Sequence, residues 1–62
     1  MLGVRLRARR EELGLTLEEL AQDIGVHWTQ LQRWETDKAM PNGKALRELG
    51  KRLKISVDYL FK

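Results

Sequence analysis

The stretch from Leu13 to Glu35 constrains the fold of this chain most strongly. It reads LGLTLEELAQDIGVHWTQLQRWE, and two short helical patterns flank Gly25 with almost no sequence between them. Helices joined by so few residues cannot lie side by side as a long hairpin, so they must cross steeply. The spacing therefore predicts a helix-turn-helix.

The first helix of this pair carries its own start and stop signals. Thr16 followed by Glu19 forms a capping box, in which each side chain accepts a hydrogen bond from the other residue's backbone amide. Leu15 and Leu20 have the spacing of a hydrophobic staple across that cap. Gly25 can adopt the left-handed conformation that ends helices. We therefore expect a helix between Thr16 and Gly25.

The same staple interval marks three further helix starts. Val26 and Leu31 flank a cap at His27, and Gln30 stands where a capping box would place Glu or Gln. The other two caps are Asn42, between Pro41 and Leu46, and Ser56, between Ile55 and Leu60.

A first helix precedes the helix-turn-helix. Leu2, Leu6, Arg10 and Leu13 fall on one stripe of it, and Gly14 should end it. The sequence thus predicts an all-α fold of five helices and no strands. Residues 1–62 are expected to form a single domain, because no repeat or long linker separates two cores.

The apolar share of 42% is enough for one small core, although domains of this size are only marginally stable. The predicted core residues are Leu6, Leu13, Leu20, Ile24, Leu31, Trp34, Leu46, Leu49, Leu53, Ile55 and Leu60.

Composition excludes several kinds of site. The chain has no cysteine and one histidine, so disulfides and a histidine or thiolate metal site are not expected. No side chains pair a nucleophile with a base, so we expect no catalytic residues, no cofactor, no small-molecule site and no enzymatic activity. No apolar run is typical of a membrane span or a signal peptide, which predicts a cytoplasmic protein.

The net charge of +3 is unevenly distributed. Charge runs usually face water, but a basic face can also attract phosphates, and both interpretations stay open at this point. The basic clusters are Arg5, Arg7, Arg9 and Arg10 in the first helix and Lys44, Arg47, Lys51, Arg52 and Lys54 in the fourth; Glu18, Glu19 and Asp23 make the second helix acidic.

One pair of charges is predicted to face the core. Arg10 lies on the apolar stripe of the first helix, and Glu35 lies on the inward side of the third helix beside Trp34. Burying either charge alone would be very costly, so we expect Arg10 and Glu35 to pair with each other. The alternative is that both are unrelated charges at the edge of the core.

Together these motifs make the chain resemble the lambdoid phage repressor and Cro type of helix-turn-helix, also called the XRE family. The likeness covers nearly the whole chain, and the pair Arg10 and Glu35 matches an ion pair of phage repressors in that family. The residues that carry it are Gly14-Leu15-Thr16, Glu18-Glu19-Leu20-Ala21, Gly25-Val26, Trp34-Glu35, Pro41 and Ile55-Ser56-Val57-Asp58-Tyr59-Leu60.

The resemblance implies a compact lambda-repressor-like domain whose third helix enters the major groove of operator DNA, usually as a dimer on a two-fold site. The implied base-contacting residues are His27, Trp28, Thr29, Gln32 and Arg33, and the helical wheel places Thr29 and Arg33 opposite the core positions. The phosphate-contacting candidates at helix starts and in the following loop are Gln22, Thr36, Lys38, Asn42 and Lys44.

Two positions depart from the family pattern. Leu17 stands where the family commonly has a Gln that hydrogen-bonds a phosphate, so that contact is lost. Asp37 stands where the family often has Gly; it tolerates a left-handed turn but adds a negative charge near the DNA.

The sequence therefore predicts a sequence-specific transcriptional regulator, a repressor of bacterial or phage type, bound to double-stranded DNA at the nucleoid. Val57, Tyr59 and Phe61 offer an apolar surface for a homodimer, unless they close the core instead. One alternative is a protein-interaction module, an antitoxin or adaptor, that uses Trp28 and its surroundings. Another is the amino-terminal DNA-binding domain of a longer regulator.

Overall fold

The computed structural model describes residues 2–61, and within them the chain forms five α-helices and no strand, as predicted. The helices are α1 (Leu2–Glu12), α2 (Leu17–Ile24), α3 (Trp28–Glu35), α4 (Gly43–Leu53) and α5 (Val57–Leu60). α2 and α3 form the helix-turn-helix. α1 packs against α3, α4 packs against α2, and the short α5 closes the domain against α1 and α4.

The predicted capping box at Thr16 is confirmed. The Glu19 amide donates to Thr16 Oγ1 at 3.0 Å, and the Thr16 amide donates to Glu19 Oε1 at 2.9 Å. Gly25 ends α2 in the left-handed conformation with φ of 77°, and Gly14 makes the turn after α1 with φ of 71°. The turn between α2 and α3 is therefore as tight as the sequence indicated.

The other three caps also form, with one difference. Asn42 Oδ1 accepts from the Ala45 amide at 2.8 Å, and Ser56 Oγ accepts from the Tyr59 amide at 3.1 Å. His27 Nδ1 accepts from the Thr29 amide at 3.2 Å. Because the imidazole bonds one residue before Gln30, the reciprocal capping box suggested there is absent from the described residues.

The core lies where the five helices meet. Six leucines have no exposed surface, and Trp34 is 3% exposed. Ile24, Leu46 and Ile55 are half-buried at its edge. The six leucines are Leu6, Leu20, Leu31, Leu49, Leu53 and Leu60.

Leu13 was wrongly predicted to belong to the core. It is 38% exposed, because α1 ends at Glu12 and the helical stripe ends with it. Gly14 then turns the chain, and Leu15 packs against the core instead.

The predicted ion pair between Arg10 and Glu35 is confirmed. Both residues are less than a tenth exposed, and the guanidinium binds the carboxylate through two contacts, Nε to Oε2 at 2.7 Å and Nη2 to Oε1 at 3.1 Å. Arg10 Nη1 also donates to the Leu15 carbonyl at 2.7 Å. The hydrogen bond to Glu35 raises the pKa of Arg10 above its ordinary value, despite an opposing effect of burial. One side chain thus connects α1, the following turn and α3.

Asp37 makes a contact that the sequence did not predict. Its Oδ1 accepts from the Gly3 amide at 3.1 Å, which satisfies one of the unpaired amides at the start of α1. At this point α1 approaches α3 so closely that a Cβ on Gly3 would collide with the Glu35 carbonyl oxygen. The carboxylate of Asp37 therefore has a structural role at the start of α1.

Two arginines of α1 bind the carboxyl ends of other helices. Arg9 Nε donates to the Leu53 carbonyl at the end of α4 at 2.9 Å. Arg5 Nη1 donates to the Tyr59 carbonyl in α5 at 2.7 Å. Cations at these positions interact favourably with the unpaired carbonyls and with the negative ends of the helix dipoles. These arginines hold α4 and α5 against α1.

Candidate nucleic-acid interface

The solvent-facing side of α3 continues into the loop that follows it. We call Thr29, Gln32, Arg33, Thr36 and Lys38 the recognition face; together they line a shallow cleft of about 370 Å³. All five are exposed, whereas Leu31, Trp34 and Glu35 on the opposite side of α3 are buried. The helix therefore divides cleanly into a core side and a polar outer side, as the helical wheel predicted.

The two cations of the recognition face are free to meet an external anion. Within residues 2–61, neither Arg33 nor Lys38 has a carboxylate at salt-bridge distance. The loop that carries Lys38 is held by hydrogen bonds: the Lys38 amide donates to the Arg33 carbonyl at 2.9 Å, and Thr36 Oγ1 donates to the Gln32 carbonyl at 2.9 Å. Asp37 turns the chain between them with φ of 60°.

The first turn of α3 lies beside the recognition face. His27 caps it, and Trp28 is exposed over 38% of its surface. Their ring centroids are 5.8 Å apart with the planes tilted by 33°. Thus all five predicted base-contacting residues lie on one exposed surface, which His27 and Trp28 extend at the start of the helix.

The phosphate candidates are more dispersed. Asn42 and Lys44 lie at the start of α4 and line a second cleft, of about 270 Å³, together with Gln30. The side-chain oxygen of Asn42, Oδ1, already accepts the hydrogen bond that caps α4, so the side-chain NH2 group is the part left for a ligand. Gln22 is exposed on α2, and the clefts described here do not include it.

A third cleft, of about 210 Å³, adjoins the recognition face at Gln32 and Thr36 and contains two residues of functional interest. Leu17 is half-buried there and packs against the core, so its apolar side chain has a structural role at the position where the family commonly places Gln. Arg7 shares the cleft with Gln32 and Thr36, and its only salt bridge in the described chain is an exposed one to Glu11 at 3.2 Å. The sequence placed Arg7 only in a general basic cluster.

The structure separates the basic clusters by use. Arg5, Arg9 and Arg10 bind groups within the fold, so most of the α1 cluster is structural. On α4, Arg52 pairs with Asp23 of α2 at 2.6 Å. Lys51 approaches Glu48 at 4.0 Å. The cations of α4 and its end that lack a carboxylate partner in residues 2–61 are Lys44, Arg47 and Lys54.

The residues proposed for dimerisation lie at the end of the described chain. Tyr59 and Phe61 are 46% and 51% exposed, and Val57 is half-buried. The Arg5 guanidinium lies 5.5 Å from the centre of the Tyr59 ring. Two of the three side chains thus leave apolar surface open to solvent.

Other kinds of site find no support in the part of the chain described. Residues 2–61 contain no group of three or more His, Cys, Asp or Glu side chains arranged to hold a metal ion. Across the same range, no helix has the length and apolarity needed to cross a membrane.

A family model described as helix-turn-helix matches residues 6–60. The chain belongs to this family. The match spans all the elements from the middle of α1 to the end of α5, and it confirms the XRE-type resemblance that the motifs indicated.

Helix-turn-helix relatives include known repressors and regulators. The chain is 39% identical over 62 residues to the repressor protein C2 of Salmonella phage P22, covering all of this chain and 29% of the repressor. It is 37% identical over 60 residues to an uncharacterised transcriptional regulator from the ATPase CF(0) region of Rhodospirillum rubrum, covering 97% of this chain and 56% of the regulator. The chain therefore spans between about a third and just over half the length of these two relatives.

Solved helix-turn-helix structures match the fold closely. The P22 c2 repressor in complex with a synthetic operator is 38% identical with a TM-score of 0.94, over 97% of this chain and 91% of that one. SinR, the master regulator of biofilm formation known from Bacillus subtilis, in complex with DNA is 32% identical with a TM-score of 0.92 over the full length of both chains.

Proposed function

We propose that this chain binds double-stranded DNA in a sequence-specific manner and represses transcription by occupying an operator. The observation that carries the proposal is the recognition face, a polar, cation-bearing surface on a helix whose other side is fixed to the core. The repressor C2 and the operator-bound P22 domain, both of this family, support it. Helix α3 would lie in the major groove, where side chains can distinguish all four base pairs.

The proposed base contacts come from His27, Trp28, Thr29, Gln32 and Arg33. Arg33 is assigned the main role, because it has no carboxylate partner in residues 2–61 and a guanidinium can hold O6 and N7 of a guanine through two hydrogen bonds. Gln32 and Thr29 add polar contacts, and Trp28 offers apolar surface to a thymine methyl group or to the sugar backbone.

The proposed phosphate contacts come from groups around that surface. Lys38 supplies charge from the loop and Lys44 from the start of α4, a helix end that favours anions. Arg7 is added from the structure, because it lines the cleft that adjoins the recognition face at Gln32 and Thr36. The remaining assigned residues are Gln22, Thr36 and Asn42.

The arrangement of copies and domains extends the same proposal. We assign residues 1–62 to one DNA-binding domain, which pairs with a second copy through Val57, Tyr59 and Phe61 on a two-fold operator in the cytoplasm. A second assignment is the DNA-binding domain of a longer regulator, which the 29% coverage of C2 supports. An antitoxin or adaptor role through Trp28 is the competing proposal.

Selection of bound sequences from a random duplex library tests the proposal directly. Wild type should enrich a motif with two-fold-related halves, and Arg33→Ala should lose preference at one base position per half, at a cost of about 1–3 kcal/mol. Arg47→Ala is the matched control, since it removes another unpaired exposed arginine from α4 and should keep the motif. If wild type binds no duplex even at low salt, the protein-interaction role is favoured instead.

A further inference from the structure

His27 and Thr29 form a hydrogen-bonded pair at the start of α3. Thr29 Oγ1 lies 2.8 Å from His27 Nδ1, and the Thr29 amide donates to the same nitrogen at 3.2 Å. Both side chains are exposed, and Thr29 is part of the recognition face. The direction of the hydrogen bond in this pair determines whether each side chain can donate to a base or accept from it.

The backbone contact fixes the form of the imidazole. An amide N–H can only donate, so Nδ1 must be an acceptor and carries no proton. In the neutral ring the proton is then on Nε2, which becomes a donor. The neighbouring Trp28 ring lies 5.8 Å from the imidazole, centroid to centroid.

The imidazole in turn orients the threonine hydroxyl. Two lone pairs facing each other at 2.8 Å would repel, so the Thr29 proton must lie between Oγ1 and Nδ1. With its proton held by His27, the oxygen presents only lone pairs outward. A hydroxyl that can usually donate or accept is therefore restricted to accepting.

We propose, on the basis of the DNA-binding function above, that His27 makes Thr29 a reader of exocyclic amino groups. In the major groove those donors are adenine N6 and cytosine N4, whereas guanine and thymine present only acceptors at the corresponding position. Thr29 therefore selects adenine or cytosine, and His27 is the positioning residue that sets this preference. The Nε2–H of His27 is left to donate to a purine N7 or a phosphate oxygen.

Library selection with three variants tests this assignment, with helix content checked by circular dichroism. Thr29→Val removes the hydroxyl at nearly constant shape and identifies the base position that Thr29 contacts. Wild type should favour adenine or cytosine there by about fivefold, the value of one neutral hydrogen bond. Thr29→Ser, the matched control, should keep that preference because it keeps the hydroxyl.

His27→Gly supplies the decisive comparison. Glycine is tolerated at a helix N-cap but has no acceptor for the Thr29 hydroxyl, so guanine and thymine should become as frequent as adenine and cytosine at that one position. The inference is overturned if wild type favours guanine or thymine there, if His27→Gly keeps the wild-type preference, or if Thr29→Val changes no position. A wild-type protein that enriches no motif overturns the proposed function itself, and this inference with it.

Discussion

Arg10 binds both the Glu35 carboxylate and the Leu15 carbonyl from a buried position. Arg10→Ala would leave the Glu35 carboxylate buried without a partner, so we expect the free energy of unfolding to fall by about 3–5 kcal/mol. Thermal denaturation followed by circular dichroism measures this loss.

Arg7→Ala is the matched control for that experiment. Arg7 lies on the same helix, but its pair with Glu11 is exposed on both sides, so its removal should cost at most about 0.5 kcal/mol. Arg9 is unsuitable as a control because it also binds the Leu53 carbonyl. Equal melting temperatures for the Arg7 and Arg10 variants would show that the buried pair does not stabilise the fold.

Gly3 is a residue whose importance comes from a close approach. A Cβ there would lie 2.8 Å from the Trp34 carbonyl oxygen and closer still to that of Glu35, and neither backbone atom can move freely. Gly3→Ala should therefore destabilise the protein by about 1–3 kcal/mol.

Gly43→Ala is the natural comparison, since nothing lies within 4 Å of a Cβ built there. That change should be neutral or stabilise by about 0.4–1 kcal/mol, because alanine restricts the unfolded chain more than glycine does. Urea denaturation of both variants gives the two values. A Gly3→Ala protein as stable as Gly43→Ala would contradict the close packing of α1 on α3.

Two turns within residues 2–61 place a non-glycine residue in the left-handed region. Lys54, after α4, has φ of 57°, and Asp37, after α3, has φ of 60°. Lys54→Gly should raise stability by about 1 kcal/mol, because the strain of a side chain in this conformation is removed. Asp37→Gly should give no such gain, since it also removes the acceptor for the Gly3 amide.

Asp37→Asn separates the two effects at that turn. Asparagine tolerates the left-handed conformation and keeps an oxygen for the Gly3 amide, so it should remain close to wild type in stability. Melting temperatures of the Lys54→Gly, Asp37→Gly and Asp37→Asn variants, measured under one condition and compared with wild type, test these expectations. An Asp37→Gly protein stabilised as much as Lys54→Gly would mean that the carboxylate contributes nothing to the start of α1.

The elements also show which structural information is local in the sequence. The Thr16 capping box and the terminating Gly25 lie within a few residues of the ends they define, so spacing alone predicted them correctly. The contact from Asp37 to Gly3 joins positions 34 apart, and that from Arg9 to Leu53 joins positions 44 apart. No local pattern encodes such pairings, because they depend on how the helices pack.

The candidate site, too, could be predicted from the sequence only where the information is local. Helical periodicity placed Thr29 and Arg33 outward from α3, which the burial of Leu31 on its other side bears out. The hydrogen bond between His27 and Thr29 could not be read from the sequence, since a cap at His27 was compatible with bonding to Gln30 instead. The donor and acceptor roles of these two side chains could therefore be assigned only from the three-dimensional structure.

For the molecule as a whole, the cations that bind no group within the fold are free to contact phosphates. They therefore determine the expected salt dependence of DNA binding. If Lys38 contacts a phosphate, Lys38→Ala should weaken binding to all sequences alike and reduce the slope of log affinity against log salt by about 1. Lys54→Ala is the control, because Lys54 follows the end of α4, about 15 Å along the helix from Lys44, and lines none of the three clefts. Equal slopes for both variants would remove Lys38 from the interface.

The residues proposed to pair two copies, Val57, Tyr59 and Phe61, are distinct from those of the recognition face. Phe61→Ser removes an apolar side chain that is 51% exposed and should weaken binding to an operator with two half-sites by about fivefold to tenfold, as expected for an interface side chain worth about 1 kcal/mol or more. Affinity for a single half-site should not change, since the recognition face is intact. Leu13→Ser, at a residue 38% exposed after the end of α1 that lines none of the clefts, is the matched control and should alter neither value. Gel-shift titrations on both duplexes measure the two affinities, and an unchanged two-site affinity for Phe61→Ser would assign dimerisation to another surface.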